Sequence, residues 1–281
     1  MLTRHADAAG FLAAARPALE LEEAANNLIL GLPLRILRQP ESVATQPYFA
    51  TVTAGGALRA AAVMTPPYNV VVWAAQPGAQ AELGLIADDL YRHRWPVPGV
   101  GARAPTAEEF CEAWQSRSGA RITLTGHRRI YRLDRVVAPA WPPGEARLAG
   151  HGDTTLIAAW MEGFYRDAGI REPYEDWVLM ARKRVEAGDV LLWSLGGAPV
   201  SMAARSRVLP RGAVVSLVFT PGERRGRGYA SAVVAALSQR LLDAGHQYCA
   251  LYTDLANPTS NSIYQKIGYA PVSDAVEYAF D

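Results

Sequence analysis

The residues best suited to chemistry lie in one turn, residues 219–231, where an apolar run with strand character ends and a helical pattern begins. Gly226 and Gly228 have no side chains to keep a ligand away from the main chain. The first N–H groups of the following helix point outward at the positive end of the helix dipole, which favours an anion. Arg224, Arg225 and Arg227 add positive charge that suits a diphosphate. The turn is therefore predicted to bind phosphates.

The helix predicted after this turn has an amphipathic pattern. Its apolar residues recur at helical spacing, and they are Ala230, Val233, Val234, Leu237 and Leu241. The two-glycine spacing matches neither a P-loop nor a dinucleotide fingerprint, because no third glycine and no Gly-Lys-Ser/Thr follow. From composition alone, a solvated turn without a ligand stays open as the alternative.

A second segment, residues 257–269, gives the turn a family context. Asn257-Pro258 predicts a capped helix start, and Tyr264 follows seven residues after Asn257, just ahead of Gly268-Tyr269. This segment and the run Arg225-Gly226-Arg227-Gly228-Tyr229-Ala230 together resemble the GNAT superfamily of acetyl-CoA-dependent N-acetyltransferases. The run is similar to that family's pyrophosphate loop, Arg/Gln-x-x-Gly-x-Gly/Ala. The resemblance extends over roughly residues 145–281.

The resemblance implies an α/β fold of two tandem GNAT-like domains, each a mixed, mainly antiparallel sheet flanked by helices. It implies acetyl-CoA (coenzyme A) as co-substrate and no metal. In the family, the pantetheine arm bonds the main chain of the strand before the loop, and the Asn side chain touches that arm; for Asn257, simple helix capping is the alternative. The implied cofactor-binding residues are Val218, Phe219, Thr220, Arg225, Gly226, Arg227, Gly228, Tyr229, Ala230, Ser231, Asn257 and Tyr264.

Tyr264 is the residue to which the resemblance assigns catalysis. A phenol near the sulfur can protonate the thiolate as it leaves, and the oxyanion would be held by a main-chain N–H of the strand at 213–219. The alternative is a tyrosine that only packs. Because a binding module needs the loop but no proton donor, Tyr264 favours an enzyme.

The general base is less clearly indicated, since the central strand at 213–219 carries no carboxylate. Asp254, at the exit of the neighbouring strand, is the favoured candidate for taking a proton from the acceptor amine. A turn-capping role is its alternative. Other candidates lie on the two helices that wall the acceptor site in the family, and they are Glu162, Glu172, Glu175 and Asp176.

The predicted function is transfer of an acetyl group to a primary amine of a small molecule or peptide by direct attack on the thioester. Two alternatives stay open. One is a non-catalytic acyl-CoA-binding sensor or interaction module. The other is a tandem acyltransferase that uses a different acyl donor. The sequence does not separate the acceptors or fix the oligomeric state.

Length and composition indicate the number of domains, the class of partner and the cellular location. The 281 residues predict about two domains, and a net charge of +1 gives no reason to expect nucleic acid or a membrane surface as partner. Cys111 and Cys249 match no metal-ligand spacing and are expected to be buried thiols in a reducing compartment. Since no apolar run approaches the length of a membrane span, a cytoplasmic location is predicted.

Residues 1–137 are predicted to form a degenerate GNAT-like domain. Its expected elements are two helices in residues 1–31 broken near Arg16-Pro17, strands at 48–53, 58–64 and 70–74 with a hairpin at Gly55-Gly56, then helix 80–92, strand 97–100, helix 106–116 and strand 122–133. The turn at 74–80 lacks the paired glycines and arginines, and Pro77 removes an N–H group. This half is therefore expected not to bind coenzyme A. An unrelated supporting α/β domain is the alternative.

Residues 138–144, with three prolines and a glycine, predict a semi-rigid linker. The catalytic domain would follow at 145–281. Its expected elements are strand 146–149, helices 153–167 (capped by Asp153) and 174–187, a hairpin of 190–195 and 200–208 through Gly196-Gly197, and apolar strands at 213–219 and 248–255.

Overall fold

The computed structural model describes residues 1–170 and 176–281. The strands, in chain order, are β1 Leu2–Arg4, β2 Tyr48–Ala54, β3 Ala57–Met64, β4 Val70–Ala74, β5 Gly99–Arg103, β6 Ile122–Leu133, β7 Glu145–Leu148, β8 Val190–Leu195, β9 Ala198–Val208, β10 Gly212–Phe219, β11 Tyr248–Asp254 and β12 Ala270–Phe280. The α-helices are α1 Ala8–Leu19, α2 Asn27–Arg38, α3 Gln80–Arg92, α4 Ala104–Ser118, α5 Thr154–Asp167, α6 Trp177–Glu186, α7 Tyr229–Asp243 and α8 Pro258–Lys266. The predicted α/β fold is confirmed.

The chain divides into two compact units. The first comprises Met1–Ile130, Thr253–Asn257 and Pro271–Asp281, and the second comprises Tyr131–Tyr252 and Pro258–Ala270. This division differs from the sequence-based one, which ran the second domain continuously from 145 to 281. The boundary at residues 138–144 stays a prediction.

The first unit is built on a mixed sheet with the strand order β1-β2-β3-β4-β5-β12-β6. The pairs β1–β2, β2–β3 and β3–β4 are antiparallel, and β4–β5 is parallel because α3 connects them. Gly55 and Gly56 join β2 to β3 with φ of 58° and 79°, which confirms the predicted hairpin. The large side chains that fill its core include Tyr48, Met64, Leu83, Phe110 and Trp114.

The predicted helix break near Arg16-Pro17 is wrong. Helix α1 continues through Pro17 and ends at Leu19, and a short 3-10 turn follows at Glu20–Glu22. A proline this close to the end of a helix removes only one backbone hydrogen bond, and the Pro17 ring lies at the exposed surface. The break is fixed instead by Asn26, whose buried side-chain amide donates to the Leu19 carbonyl at 2.9 Å.

Strand β12, the last element of the chain, was not predicted from the sequence. In the first unit it pairs antiparallel with β5, with Glu277 opposite Gly101. Arg128 makes a bidentate contact with Glu277 at 3.0 and 3.2 Å. Arg129 contacts Asp274 at 2.7 and 2.9 Å, and these hydrogen bonds lower the pKa of the Asp274 carboxyl. Paired charges therefore fix the register of a strand whose own pattern is only partly apolar.

In the second unit the strand order is β11-β10-β9-β8-β7, with the last residues of β6 beyond β11. Among the described strand pairs of this unit, β10–β11 is parallel, and β9–β10, β8–β9 and β7–β8 are antiparallel. Since successive strand residues face opposite sides, Leu191 and Trp193 pack with α7, while Val190 and Leu192 pack with α5 and α6. Strand β10 contributes to both clusters, which confirms the predicted burial of a central strand on two faces. The β8–β9 hairpin through Gly196-Gly197 is also confirmed.

The predicted cap of α5 by the Asp153 side chain is wrong. Asp153 occupies the position before the helix, but its carboxylate accepts from the Gly150 N–H at 2.8 Å and pairs with Arg147 at 2.7 and 2.8 Å. The hydrogen bond from Arg147 holds the pKa of Asp153 below its usual value. Helix α6 begins at Trp177, and the predicted start at residue 174 lies outside the described residues.

Both cysteines are free and buried, as predicted. Burial raises the pKa of Cys111 and of Cys249 to about 12, so both thiols stay protonated at neutral pH. None of the described helices combines the length and the apolar composition needed to cross a bilayer. The reducing, cytoplasmic location stays a prediction.

Candidate cofactor and active site

The turn between β10 and α7 has the backbone that the sequence predicted. Gly226 and Gly228 adopt φ of 75° and 81°, in the left-handed region that a side chain disfavours. A Cβ built on Gly226 would meet nothing within 4 Å, so the main chain there is open to a ligand. Tyr229 begins α7, and the first N–H groups of a helix have no partner within it. This cradle fits the diphosphate of coenzyme A, because it offers N–H donors to an anion and leaves the main chain accessible at Gly226.

Arg225 is held by protein groups beside this cradle. Its Nε donates to the Thr220 carbonyl at 2.9 Å, and its Nη2 pairs with Asp167 at 2.5 Å. The guanidinium also lies 6.0 Å from the centre of the Phe219 ring. Arg225 therefore fixes the entry to the turn, and its charge is shared with a carboxylate at the end of α5. Sequence reasoning missed Asp167, which carries no signal because the contact depends on packing between distant segments.

Strand β10 is irregular just before the turn. Its parallel register with β11 runs from Gly212–Tyr248 to Val215–Leu251, although β10 continues to Phe219. Its register with β9 shifts between Ser216 and Phe219. Leu217, in this bulge, is buried and has φ of 51°, a conformation that costs about 1–3 kcal/mol for a residue other than glycine. The described registers therefore place Leu217 and Val218 outside both ladders.

Ser201 on β9 stabilises the end of this bulged strand. Its buried hydroxyl donates to the Phe219 carbonyl at 3.1 Å and lies 2.8 Å from the Thr220 hydroxyl. The carbonyls of Phe219 and Thr220 thus each accept from a side chain, whereas Val218 lies in the bulge. Of the predicted cofactor-binding residues at the end of β10, Phe219 pairs with Met202 of β9, whereas Val218 within the strand is displaced from the ladders. Ser201 was also missed by sequence reasoning, since nothing local marks its contact.

Tyr264 is buried in α8, with 7% of its surface exposed. Burial raises the pKa of the Tyr264 phenol to about 12, an effect that a hydrogen bond with Ser260 partly offsets. Its ring centre lies 6.5 Å from that of Tyr131 and 6.0 Å from that of Tyr269. The phenol therefore keeps its proton at neutral pH, as a general acid requires.

The structure brings several predicted residues together in the second unit. Val218, Tyr229 and Tyr264 pack in one hydrophobic cluster, which lies on the α7 face of the sheet. Ala230 and Ser231 lie in the first turn of α7, and Arg227 lies in the exposed turn before it. The phosphate cradle, the bulged strand and the buried phenol thus share one face of this unit.

Asp254 and Asn257 lie in the segment Thr253–Asn257, which is counted with the first unit. The Asp254 carboxylate accepts from the Ala256 N–H at 2.8 Å, and the Asp254 carbonyl accepts from the Asn257 N–H at 3.1 Å. These bonds give Asp254 the turn-capping role that the sequence left open as its alternative. Its role as base and the role of Asn257 towards pantetheine stay predictions.

The other candidate bases are distributed along α5 and α6. Glu162 is exposed on α5. Asp176 caps α6, because its Oδ1 accepts from the Leu179 N–H at 2.8 Å. Glu172 and Glu175 lie outside the described residues. Among the residues that the structure describes, no cluster of three or more His, Cys, Asp or Glu side chains is arranged to hold a metal ion.

In the corresponding turn of the first unit, between β4 and α3, two N–H donors are bonded to a side chain of the protein itself. Gly78 has φ of 84°, and its N–H donates to Glu109 Oε1 at 2.7 Å. The Ala79 N–H donates to Glu109 Oε2 at 2.9 Å. A carboxylate from α4 therefore occupies the position that an anion would take in front of α3. The sequence indicated the missing glycine and arginines of this turn but not the occupant.

Comparison with known proteins relates this geometry to a family. Residues 195–278 match the model of the FR47-like protein family, and these residues include the turn, α7 and Tyr264. No curated protein matches the chain. A solved structure described as a GCN5-related N-acetyltransferase from Sphaerobacter thermophilus is 18% identical, with a TM-score of 0.65 over 99% of this chain and 94% of that one.

Two further structures cover the whole of this chain. One is described as an acetyltransferase of the GNAT family from Colwellia psychrerythraea, with 12% identity, a TM-score of 0.61 and 100% of both chains covered. The other is described as a tandem GNAT protein from the clavulanic acid biosynthesis pathway, with 12% identity, a TM-score of 0.57 and 98% of that chain covered. At these identities the likeness is one of fold. The predicted resemblance in fold to GNAT proteins is thereby confirmed, and it extends over both units.

Proposed function

We propose that the chain is an acetyl-CoA-dependent N-acetyltransferase that acts on a primary amine of a small molecule or peptide. The observation that carries this proposal is the glycine cradle at Gly226 and Gly228, which directly precedes α7 on the same face as the buried Tyr264 phenol. The family match over residues 195–278 and the descriptions of the similar structures support it.

Binding would use mainly backbone groups of the second unit. The N–H groups from Gly226 to Ser231 would hold the diphosphate, and Arg227, in the exposed turn, would add positive charge. The main chain at Val218 would bond the pantetheine arm, because the bulge takes this residue out of the ladders. Acetyl-CoA supplies an acetyl group that is activated as a thioester.

Catalysis would rest on proton control and charge stabilisation by this chain. A neutral amine attacks the carbonyl carbon directly, and a main-chain N–H of β10 stabilises the charge that develops on the carbonyl oxygen. Tyr264 holds its proton because its pKa is about 12, and it gives that proton to the departing sulfur. Asp254 stays the predicted acceptor of the amine proton.

An acceptor screen tests this proposal against the two alternatives. Thermal stabilisation by acetyl-CoA is expected for an enzyme and for a sensor alike, since both bind the ligand. Release of free coenzyme A thiol should therefore be followed over amino acids, polyamines, aminoglycosides and short peptides. Turnover with at least one amine is expected. Tight binding without turnover across the panel would favour the sensor, and turnover with only longer acyl-CoA donors would favour the other acyltransferase.

A further inference from the structure

Trp141 is a large aromatic residue that the proposed function has not yet used. Its side chain is 51% exposed, yet it is fixed in place. The indole stacks on that of Trp193 with ring centres 5.8 Å apart and planes 14° apart. Trp193 Nε1 donates to the Pro143 carbonyl at 3.2 Å, which ties the same segment to β8. Trp141 therefore presents a preorganised aromatic surface to solvent.

This surface lies beside the phosphate cradle. The ring carbons of Pro142, the next residue, lie 3.9–4.0 Å from the position that a Cβ on Gly228 would take. The segment that carries Trp141 thus lies against the residue that directly precedes α7. Trp141, the residue before Pro142, is therefore next in the chain to a residue at the turn that would hold the diphosphate.

There is room for a planar ring next to the indole. Trp141 borders an open groove of about 630 Å³ that runs along α7, a volume within the roughly 300–1,000 Å³ that small-molecule sites occupy. Ala235 and Ala236 line the helix side of the groove, and their small side chains leave space. Gln239 adds polar groups further along the helix.

We propose that Trp141 stacks on the adenine ring of the coenzyme A moiety and so positions the nucleotide end of the donor. The proposal rests on the proposed function, since it requires the diphosphate at Gly228. One face of the indole stacks on Trp193 and about half of the side chain is exposed, so a purine has an aromatic partner next to the cradle. Stacking of a base on an aromatic side chain is tolerant of the ring's exact orientation.

Calorimetry with two donors tests this assignment on the full chain. Acetyl-CoA carries adenosine, whereas S-acetyl-4′-phosphopantetheine lacks it. Trp141→Ala should weaken binding of acetyl-CoA by about 5- to 150-fold, which corresponds to about 1–3 kcal/mol. Binding of acetylphosphopantetheine should not change. Trp141→Phe, the matched control, keeps a ring over Trp193 and should retain most of the affinity for acetyl-CoA.

Trp141→Leu protects the test against a purely structural effect. Leucine keeps an apolar cover on Trp193 but offers no ring, so it should lose as much acetyl-CoA affinity as alanine while unfolding near the wild-type temperature. Equal losses for both donors, or wild-type affinity in Trp141→Leu, would overturn the stacking assignment and leave the proposed function intact. Failure of the wild-type protein to bind acetyl-CoA at all would overturn both.

Discussion

The turn at residues 74–80 and the turn at residues 219–229 share a backbone conformation and differ in what the nearby carboxylate binds. Each follows a strand, each contains a glycine with φ near 80°, and each leads into a helix of three turns or more. In the first turn, two N–H groups are bonded to the carboxylate of Glu109. In the second, the nearby carboxylate of Asp167 pairs with the Arg225 side chain instead.

The difference distinguishes a turn whose N–H donors are bonded within the protein from the turn to which the proposed function assigns the diphosphate. A carboxylate satisfies orphan helix N–H groups in much the way that a phosphate does, so the first unit needs no ligand there. Pro77 adds a second obstacle, because it removes an N–H group from the same turn. The second turn keeps its donors, because no proline lies within residues 222–231. Occupancy by an internal anion and the residues of the turn itself, rather than a change of fold, separate the two turns.

The largest effect is expected from Gly228→Asp. A carboxylate at this position would stand where the diphosphate binds, and like charges about 4 Å apart near a protein surface repel by about 4 kcal/mol. Affinity for acetyl-CoA should therefore fall by about 10³-fold, measured by calorimetry on the full chain. The wild-type chain should bind one equivalent.

Gly78→Asp is the matched control, since φ at Gly78 and at Gly228 is 84° and 81°. Both variants add the same charge and a similar backbone strain of about 1–2 kcal/mol, and Gly78→Asp also brings its carboxylate near that of Glu109, so Gly78→Asp should unfold at least as easily as Gly228→Asp. Only the variant at 228 should lose acetyl-CoA. Comparable losses at both positions, or two equivalents bound by the wild type, would remove the functional difference between the turns.

A smaller effect is expected from Tyr264→Phe. The change keeps the ring and removes only the hydroxyl, so affinity for acetyl-CoA should stay near the wild-type value. The turnover number should fall by about 10²-fold, because the leaving thiolate must then take its proton from water. Tyr269→Phe is the control, since its buried hydroxyl bonds Ser238 at 2.8 Å and should matter for stability alone. Near wild-type turnover of Tyr264→Phe, measured where chemistry limits the rate, would reduce Tyr264 to a packing residue.

The pKa of Tyr264 leads to a separate prediction about the pH dependence of the turnover number. With a pKa of about 12, the phenol stays protonated over the accessible range, and the donor is lost only as pH rises through that value. The turnover number of the wild type should therefore show no alkaline decline below about pH 10. A decline centred near pH 8 or 9 that disappears in Tyr264→Phe would show that the pKa of the bound state is much lower.

The sequence predicted those parts of the fold that local patterns encode. The hairpins at Gly55-Gly56 and Gly196-Gly197 and the turn at Gly226 and Gly228 all depend on residues whose backbone preferences are strong. Strand β12 was missed because its stability comes from distant partners, such as the contacts of Arg128 with Glu277. Its own sequence mixes proline, acidic and apolar residues.

The candidate site was likewise predictable only where its residues belong to a local sequence motif. The glycines and Tyr264 stand in a motif, whereas Ser201, Asp167 and Trp141 act through contacts across strands and helices that no local spacing records. The bulge at Leu217 was also invisible, because leucine carries no preference for positive φ. In the sequence, nothing distinguishes Glu109 from other acidic residues on a helix, so its contact with the turn was not predicted.

The smallest effect is expected from Glu109→Ala, which removes the internal anion from the first turn. Two N–H groups would pass from a carboxylate to water, and the half-buried site limits the cost to about 1 kcal/mol in the free energy of unfolding. Glu108→Ala, on the same helix with an exposed side chain, has the same change in charge and should cost less. Sulfate should stabilise Glu109→Ala more than either the wild type or Glu108→Ala, because it can bind the vacated donors. Acetyl-CoA should still bind with one equivalent, since Pro77 and the absence of arginine from residues 74–80 remain. Equal stability of the two alanine variants, with no difference in their response to sulfate, would show that Glu109 does not replace a ligand.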